Sequence, residues 1–238
     1  MKKTVSIDGQ IVSDENAKIS VLDHGLLYGD GLFEGIRVRA GRIFRLDQHL
    51  ARLALGARTI GLTLPFDAEQ QTRIVTDTVR AFGQREAYVR LLVTRGEGPL
   101  GVDPTTCKKP TVVCIVAEIG LFSAEQRAQG LAMLTSSYRR PNPDAQDVAI
   151  KTLNYLGSAL AKQEARQRGA DEALLLNQSG RVAEAAVANV FALRGRSLFT
   201  PPALDGCLEG INRGAILEIA RDLGFSVAER SLGRRDLF

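Results

Sequence analysis

The sequence predicts an α+β fold in two parts. Three observations carry that expectation. Short alternating segments meet at Asp-Gly, Ala-Gly and similar turns, longer segments have helical spacing with start and stop signals, and no regular strand–helix–strand alternation runs through the chain. A polar break, EIGLFSAEQRAQG at 118–130, is the candidate linker between a small N-terminal domain at 1–117 and a larger one at 131–238.

Within the first part, TVSIDGQIV (4–12) alternates around Asp8-Gly9 and IRVRAGRIFRL (36–46) turns at Ala40-Gly41, so both predict hairpins. Asp47 is placed to cap a helix with apolar Leu50, Leu53, Ala57 and Ile60, stopping near Gly61. Asp67 is placed to cap another that reaches Phe82 before Gly83. Strands at 87–95 and 111–117 flank a glycine-rich loop. Beyond the break, LAMLTSSYRR (131–140) predicts a strand and Leu153–Arg168 a helix closed by Gly169. EALLLNQSGRVAE (172–184) and NVFALRGRSLFTPP (189–202) predict hairpins, the second turning at Gly195. Asn212 is placed to cap a helix to Leu223, with Gly224 as its stop and a strand after it.

Composition narrows the function. With 238 residues, 45% apolar and 24% charged, the chain can bury a full core. The net charge of +4 comes from scattered arginines, and the pairs at 139–140 and 234–235 are too short for a nucleic-acid footprint. No stretch has the length of a membrane span, and MKKTVSIDGQ has no apolar core behind its lysines, so neither a membrane partner nor a signal peptide is expected. Cys107, Cys114 and Cys207 show no metal spacing, so reduced thiols in a cytoplasmic protein and no metal site are expected. The only histidines are His24 and His49, and no Gly-x-Ser-x-Gly, His-Glu-x-x-His or Cys-x-x-Cys motif occurs. GEGPLG (96–101) has the dinucleotide-binding spacing and follows a strand, but VDPTTCKKP comes next, with two prolines and no helical period. A true fingerprint opens a helix, so this is a loop.

Three features of the second part suit one ligand. Lys151 stands in DVAIKTLNYLG among apolar residues, where an ammonium is costly. Glu184 is a carboxylate in a mostly apolar strand, GRVAEAAVANVF. Gly210 precedes a helix start in LEGINRGAIL, where backbone N–H groups can cup a phosphate. Each has a plainer account: a lysine stem lying across apolar surface, a glutamate paired with an arginine, a glycine ending a loop. Together they are what pyridoxal 5'-phosphate needs: an amine for its aldehyde, an acid for its ring nitrogen and a cup for its phosphate.

LDHGLLYGDGLFEGIRVRAGRIFRLDQHLARL (22–53), KTLNYL (151–156), GADEALLLNQSGRVAEAAVANVF (169–191), TPP (200–202) and LEGINR (208–213) together resemble the class IV, fold type IV aminotransferases, most closely the branched-chain amino acid group. The likeness runs the length of the chain. It implies a small N-terminal α/β domain and a C-terminal domain with a β-barrel-like core. Lys151 then corresponds to the Schiff-base lysine and Glu184 to the partner of the ring nitrogen. Arg52 matches the phosphate arginine, with Ile211 and Asn212 supplying N–H groups, and Tyr155 a tyrosine beside the ring. Arg52 also falls on the polar side of its predicted helix, which leaves an outward anion contact open. Tyr28, Phe33 and Gly35 match the substrate-pocket wall, and Tyr88 and Arg90 the residues that meet the substrate carboxylate. Leu26, Leu27, Phe33 and Tyr155 would make its side-chain pocket mainly apolar.

The resemblance implies amino acid and 2-oxo acid substrates, with 2-oxoglutarate as acceptor, and a homodimer or higher homo-oligomer. D-amino acid aminotransferases and aminodeoxychorismate lyase share the fold, and a catalytically silent homologue is a third alternative. The chain departs from the pattern at Ala185 and Ala186, where a small hydroxyl residue is common, at Asn212 in place of threonine, and at Glu209 in place of proline. The family pattern also implies a further strand and a Thr-Gly-Thr-like segment beyond Phe238.

Overall fold

Hairpin chemistry sets the first half of the molecule. The computed structural model describes residues 2–118, 120, 124–144 and 147–238. β1 (Lys3–Ile7) and β2 (Gln10–Val12) meet at Asp8 and Gly9, with φ of 50° and 83°. β3 (Gly31–Arg39) and β4 (Arg42–Ile43) meet at Ala40 and Gly41, with φ of 51° and 79°. Two successive positive φ values are the mirror-image turn whose twist suits a two-residue hairpin. With β5 (Ala87–Thr94) and β6 (Thr111–Ala117) they form a six-stranded antiparallel sheet in the order β2-β1-β6-β5-β3-β4.

The chain divides into two units, Met1–Leu121 with Lys151–Asn154, and Phe122–Ile150 with Tyr155–Phe238. In the first unit the period-2 alternation of strands sorts the sheet into two faces. Leu32, Ile36 and Val38 pair across the ladder with Val93, Val89 and Ala87, and β6 continues the row with Val112, Val116 and Cys114 beside Leu91. These side chains are buried with Leu50, Leu53 and Ala57 of α2 (Leu46–Thr59) and Ile74, Val75 and Phe82 of α3 (Ala68–Phe82). α3 starts as expected, with Asp67 and Gln70 in a reciprocal capping box and Gly83 at φ 75° behind its last turn. α2 starts two residues earlier than an Asp47 cap would place it. Arg45 is the N-cap, in the left-handed region at φ 47°, and Asp47 lies in the first turn, where its charge still favours the positive helix end. A short α1 (His24–Tyr28), capped by the Asp23 side chain on the Gly25 N–H, precedes β3.

Lys151–Asn154 does not begin a helix. The Phe33 N–H donates to the Lys151 carbonyl and the Leu153 N–H to the Gly31 carbonyl, both at 3.0 Å. This extended segment therefore pairs with the start of β3, and the sheet bonds displace the predicted helix start from 153 to 156.

In the second unit, α4 (Ala124–Gln129) occupies part of the expected linker, of which residues 119 and 121–123 lie outside the described residues. β7 (Met133–Arg139) pairs in parallel with β8 (Glu172–Leu176), which pairs antiparallel with β9 (Val182–Ala185). α5 (Leu156–Gln167) packs on this sheet through Ala161 and Ala165, which meet Ala173, Leu175 and Ala186. From the other face of β8, Leu174 and Leu176 join Val182, Ala192 and Leu232. Burial on both faces is why EALLL reads as a continuous apolar run instead of alternating. β10 (Ala192–Arg194) and β11 (Ser197–Thr200) form the second hairpin, and β12 (Ser226–Glu229) pairs in parallel with β11 after α6 (Ile211–Asp222). The barrel-like core thus consists of two three-stranded sheets, neither closed on itself. Gly210, not Asn212, is the N-cap of α6, and Asn212 is its second residue. Among the described residues no helix is long and apolar enough to cross a membrane.

Candidate active site

The face of the six-stranded sheet turned away from α2 and α3 collects four of the residues expected to meet substrate, Phe33, Gly35, Tyr88 and Arg90. Phe33 and Gly35 point away from the α2–α3 side because they alternate with Leu32, Glu34 and Ile36. Gly35 is paired with Arg90, and its neighbour across the ladder is Tyr88, paired with Arg37. A Cβ on Gly35 would lie 2.0 Å from the Tyr88 hydroxyl oxygen, so the tyrosine occupies the space that glycine leaves. The Arg90 guanidinium stands 4.5 Å from the centre of the Phe33 ring and 5.5 Å from that of Tyr88. The Lys151 Nζ stands 4.3 Å from the same Phe33 centre, held there by the pairing of its backbone with β3. An amine and a guanidinium thus share one aromatic ring, whose negative face attracts both.

Tyr28 makes a different contact. Its hydroxyl oxygen accepts from the Gly101 N–H at 2.9 Å, and its ring lies edge-on to His24, whose Nε2 is 2.9 Å from the Pro99 carbonyl oxygen. These bonds tie α1 to the glycine-rich loop, which opens no α-helix and is followed only by a 3-10 turn at Pro104–Thr106. Leu26 and Leu27 lie on α1 and are 61% and 37% exposed, so within this unit they do not enclose a pocket.

Arg52 does not face outward as its helix position suggested. Its side chain is 13% exposed, and its Nε and Nη2 grip the two oxygens of Glu34 at 2.8 and 2.7 Å. Glu34 is fully buried and also meets His49 Nδ1 at 2.7 Å. Burial alone would raise the Glu34 carboxyl, but hydrogen bonds from His49 and Arg52 outweigh it and hold the group below the usual carboxylate range.

In the second unit, Glu184 is buried and ringed by donors. One oxygen is 3.0 Å from Arg140 Nη2; the other accepts from the Leu208 N–H at 3.0 Å and from Asn189 Nδ2 at 3.4 Å. Asn189 also donates to the Leu208 carbonyl at 2.7 Å, which fixes the loop just before α6. A Cβ on Gly210 would lie 2.2 Å from Asn189 Oδ1, and no side chain caps the helix there. The first turn of α6, with Ile211 and Asn212, thus offers an uncapped N-terminus of the kind that receives anions. Tyr155 is half-buried at the N-cap of α5. Ala185 and Ala186 are buried, and burial pushes the Cys207 thiol up to about 11, so it is protonated at neutral pH.

The sequence reading missed Glu34, His49, Arg140 and Asn189. Glu34 had a signal, since a charge in the inward phase of GLFEGIRV must find partners. An arginine partner was the plainer account of Glu184, and Arg140 fills it at 3.0 Å; nothing local singled out Arg140, because α5 and β8 lie between the two residues.

Known proteins are similar to this chain in both sequence and fold. The class IV aminotransferase family model matches residues 31–238. A putative branched-chain-amino-acid aminotransferase of Methanocaldococcus jannaschii is 41% identical over 98% of this chain and 80% of its own length. The branched-chain aminotransferase of Thermoproteus uzoniensis, solved with norvaline, superposes with a TM-score of 0.91 at 37% identity, covering 98% of this chain and 80% of that one. The T.th. branched-chain amino acid aminotransferase, solved with pyridoxamine 5'-phosphate, gives 0.93 at 36% identity, covering 98% and 78%. The chain belongs to the class IV aminotransferase family. It is accordingly an enzyme that works with pyridoxal phosphate, and each unit carries residues that suit that group: in the first a lysine on an aromatic ring, in the second a buried carboxylate surrounded by donors and an uncapped helix start behind a glycine.

Proposed function

We propose that the protein exchanges an amino group between branched-chain L-amino acids and 2-oxoglutarate, with Lys151 as the residue that carries the cofactor. The observation that carries this reading is the placement of Lys151 and Arg90 on the Phe33 ring. An amine to bond and a cation to clamp a carboxylate then flank an apolar surface, which matches an α-amino acid with a hydrocarbon side chain. The names of the relatives support the same substrate class.

When bound, pyridoxal phosphate supplies the electron sink for removing the proton from substrate Cα. The protein does the rest. Lys151 would be the residue that carries the cofactor by its aldehyde, and as a free amine its Nζ would be the group that takes and returns the substrate Cα proton. Glu184 would accept the ring N–H, and its donors Arg140, Leu208 and Asn189 suit an ionised carboxylate. Arg52 and the N–H groups of Ile211 and Asn212 would hold the phosphate, and Tyr155 would stand beside the ring. Arg90 binds the α-carboxylate with Tyr88, while Tyr28, Phe33 and Gly35 form the wall.

The working form is a homodimer or larger, as the family resemblance implies. Unpaired Cys107, Cys114 and Cys207 fit a reducing, cytoplasmic setting. A coupled assay with 2-oxoglutarate tests the reading: leucine, isoleucine and valine should outrun acidic donors, and D-alanine outrunning L-leucine would move the enzyme to the D-amino acid group.

A further inference from the structure

A fully buried glutamate on the helix-covered face of the sheet is used by none of the steps above. Glu34 alternates with Phe33 along β3, so it points away from the face that carries Lys151 and Arg90. Its carboxylate receives Arg52 through both oxygens and His49 through one, all within 2.7–2.8 Å. A guanidinium gripped along its Nε–Nη2 edge keeps one orientation, and this fork geometry is the most directional ion pair available to a side chain. His49 and Arg52 both stand on α2, three residues apart, so one helix face delivers both donors to a single strand residue.

We infer that Glu34, steadied by His49, is a positioning residue for cofactor binding: it fixes the Arg52 guanidinium in the orientation that receives the phosphate. This rests on the proposed assignment of Arg52 to the phosphate. Glu34 touches neither cofactor nor substrate and acts only through Arg52. A long arginine otherwise loses several rotors' freedom when it binds an anion, and Glu34 removes that loss before the cofactor arrives. The effect must therefore be specific for ligands that bear a phosphate.

The test titrates the full chain, cleared of cofactor, with pyridoxal phosphate and separately with pyridoxal, reading the bound fraction by visible absorbance. The ratio of the two dissociation constants measures what the phosphate contributes. Arg52→Gln should collapse this ratio. Glu34→Gln should lower it by about tenfold, the scale on which losing a supporting partner behind a binding residue is felt, while pyridoxal binding stays as in the parent. His49→Gln should shift it the same way but less, and it serves alone if Glu34→Gln does not fold, as read by circular dichroism.

An unchanged ratio in Glu34→Gln, or in His49→Gln when that variant stands alone, overturns the positioning role. So does equal weakening of both ligands, which marks a structural role only. If Arg52→Gln itself keeps the full ratio, the phosphate assignment fails first and the positioning role with it.

Discussion

Replacing Glu184 by glutamine tests the second unit most sharply, because the carboxylate serves donors on both oxygens. Arg140 lies on one side at 3.0 Å; the Leu208 N–H at 3.0 Å and Asn189 at 3.4 Å lie on the other. A glutamine has one oxygen and one NH2 group, so it can satisfy only one side. With its oxygen toward Leu208, the NH2 faces the guanidinium of Arg140, whose side chain is 15% exposed. With the amide reversed, the Leu208 N–H loses its acceptor. Either way a buried donor goes unmet, which costs about 2 kcal/mol. Arg140 keeps its bond from Nε to the Gly206 carbonyl at 3.1 Å, so the loss stays at that level. For a chain of this size the thermal midpoint should fall by roughly 4–8 °C.

Arg140→Met leaves Glu184 buried without its cation and should cost about 3 kcal/mol. In the double variant no charge is stranded, so the combined loss should fall short of the sum by about 1–2 kcal/mol. Denaturant unfolding of the four proteins gives this cycle, and turnover with leucine gives the functional arm. Glu184→Gln should bind cofactor yet transaminate far more slowly, because a neutral amide no longer holds the ring proton. Additive losses would refute the pairing, and near-normal turnover would reduce Glu184 to a structural role.

Other expectations follow from the first unit. Gly35→Ala puts a methyl 2.0 Å from the Tyr88 hydroxyl oxygen, the movable end of that side chain, so the protein should fold normally while KM rises for every donor; an unchanged KM means that Tyr88 does not meet substrate. Arg90→Ala should raise half-saturation roughly 10- to 100-fold for all amino acids alike, since each presents an α-carboxylate to a charged donor. A loss confined to one substrate removes the carboxylate clamp. The Glu34 carboxyl is held below its usual 4.5, so its ionised form stabilises the fold above that pH and the contribution fades as pH falls through the lower folded value. Glu34→Gln should accordingly flatten the loss of stability below pH 4.5, as followed by urea midpoints; an identical acid limb in both proteins contradicts this.

Local chemistry made much of the fold legible. Asp8-Gly9, Ala40-Gly41 and the Asp67 cap each specify their conformation within four residues, and all three occur as expected. The errors arose where distant backbone competed with local preference. Lys151–Asn154 has helical neighbours, yet its N–H and C=O groups pair with β3, more than a hundred residues away. Asn212 looked like a cap, but Asn189 fills the space beside Gly210 and the helix starts there instead. That Phe33 and Gly35 share one face of β3 was readable, because strand alternation places them together. The partners that hold Arg52 and Glu184 were not, since buried charges are matched in space and nothing in sequence spacing records the match.

Attachment of the cofactor to Lys151 is the central claim, and one measurement addresses it directly. The protein is purified with pyridoxal phosphate, reduced with borohydride, digested and mapped by mass spectrometry. The expected result is a visible absorption band that reduction abolishes, and a phosphopyridoxyl mass on the peptide containing Lys151 and on no other. A label on a different lysine, or a protein that takes up no cofactor, would contradict it.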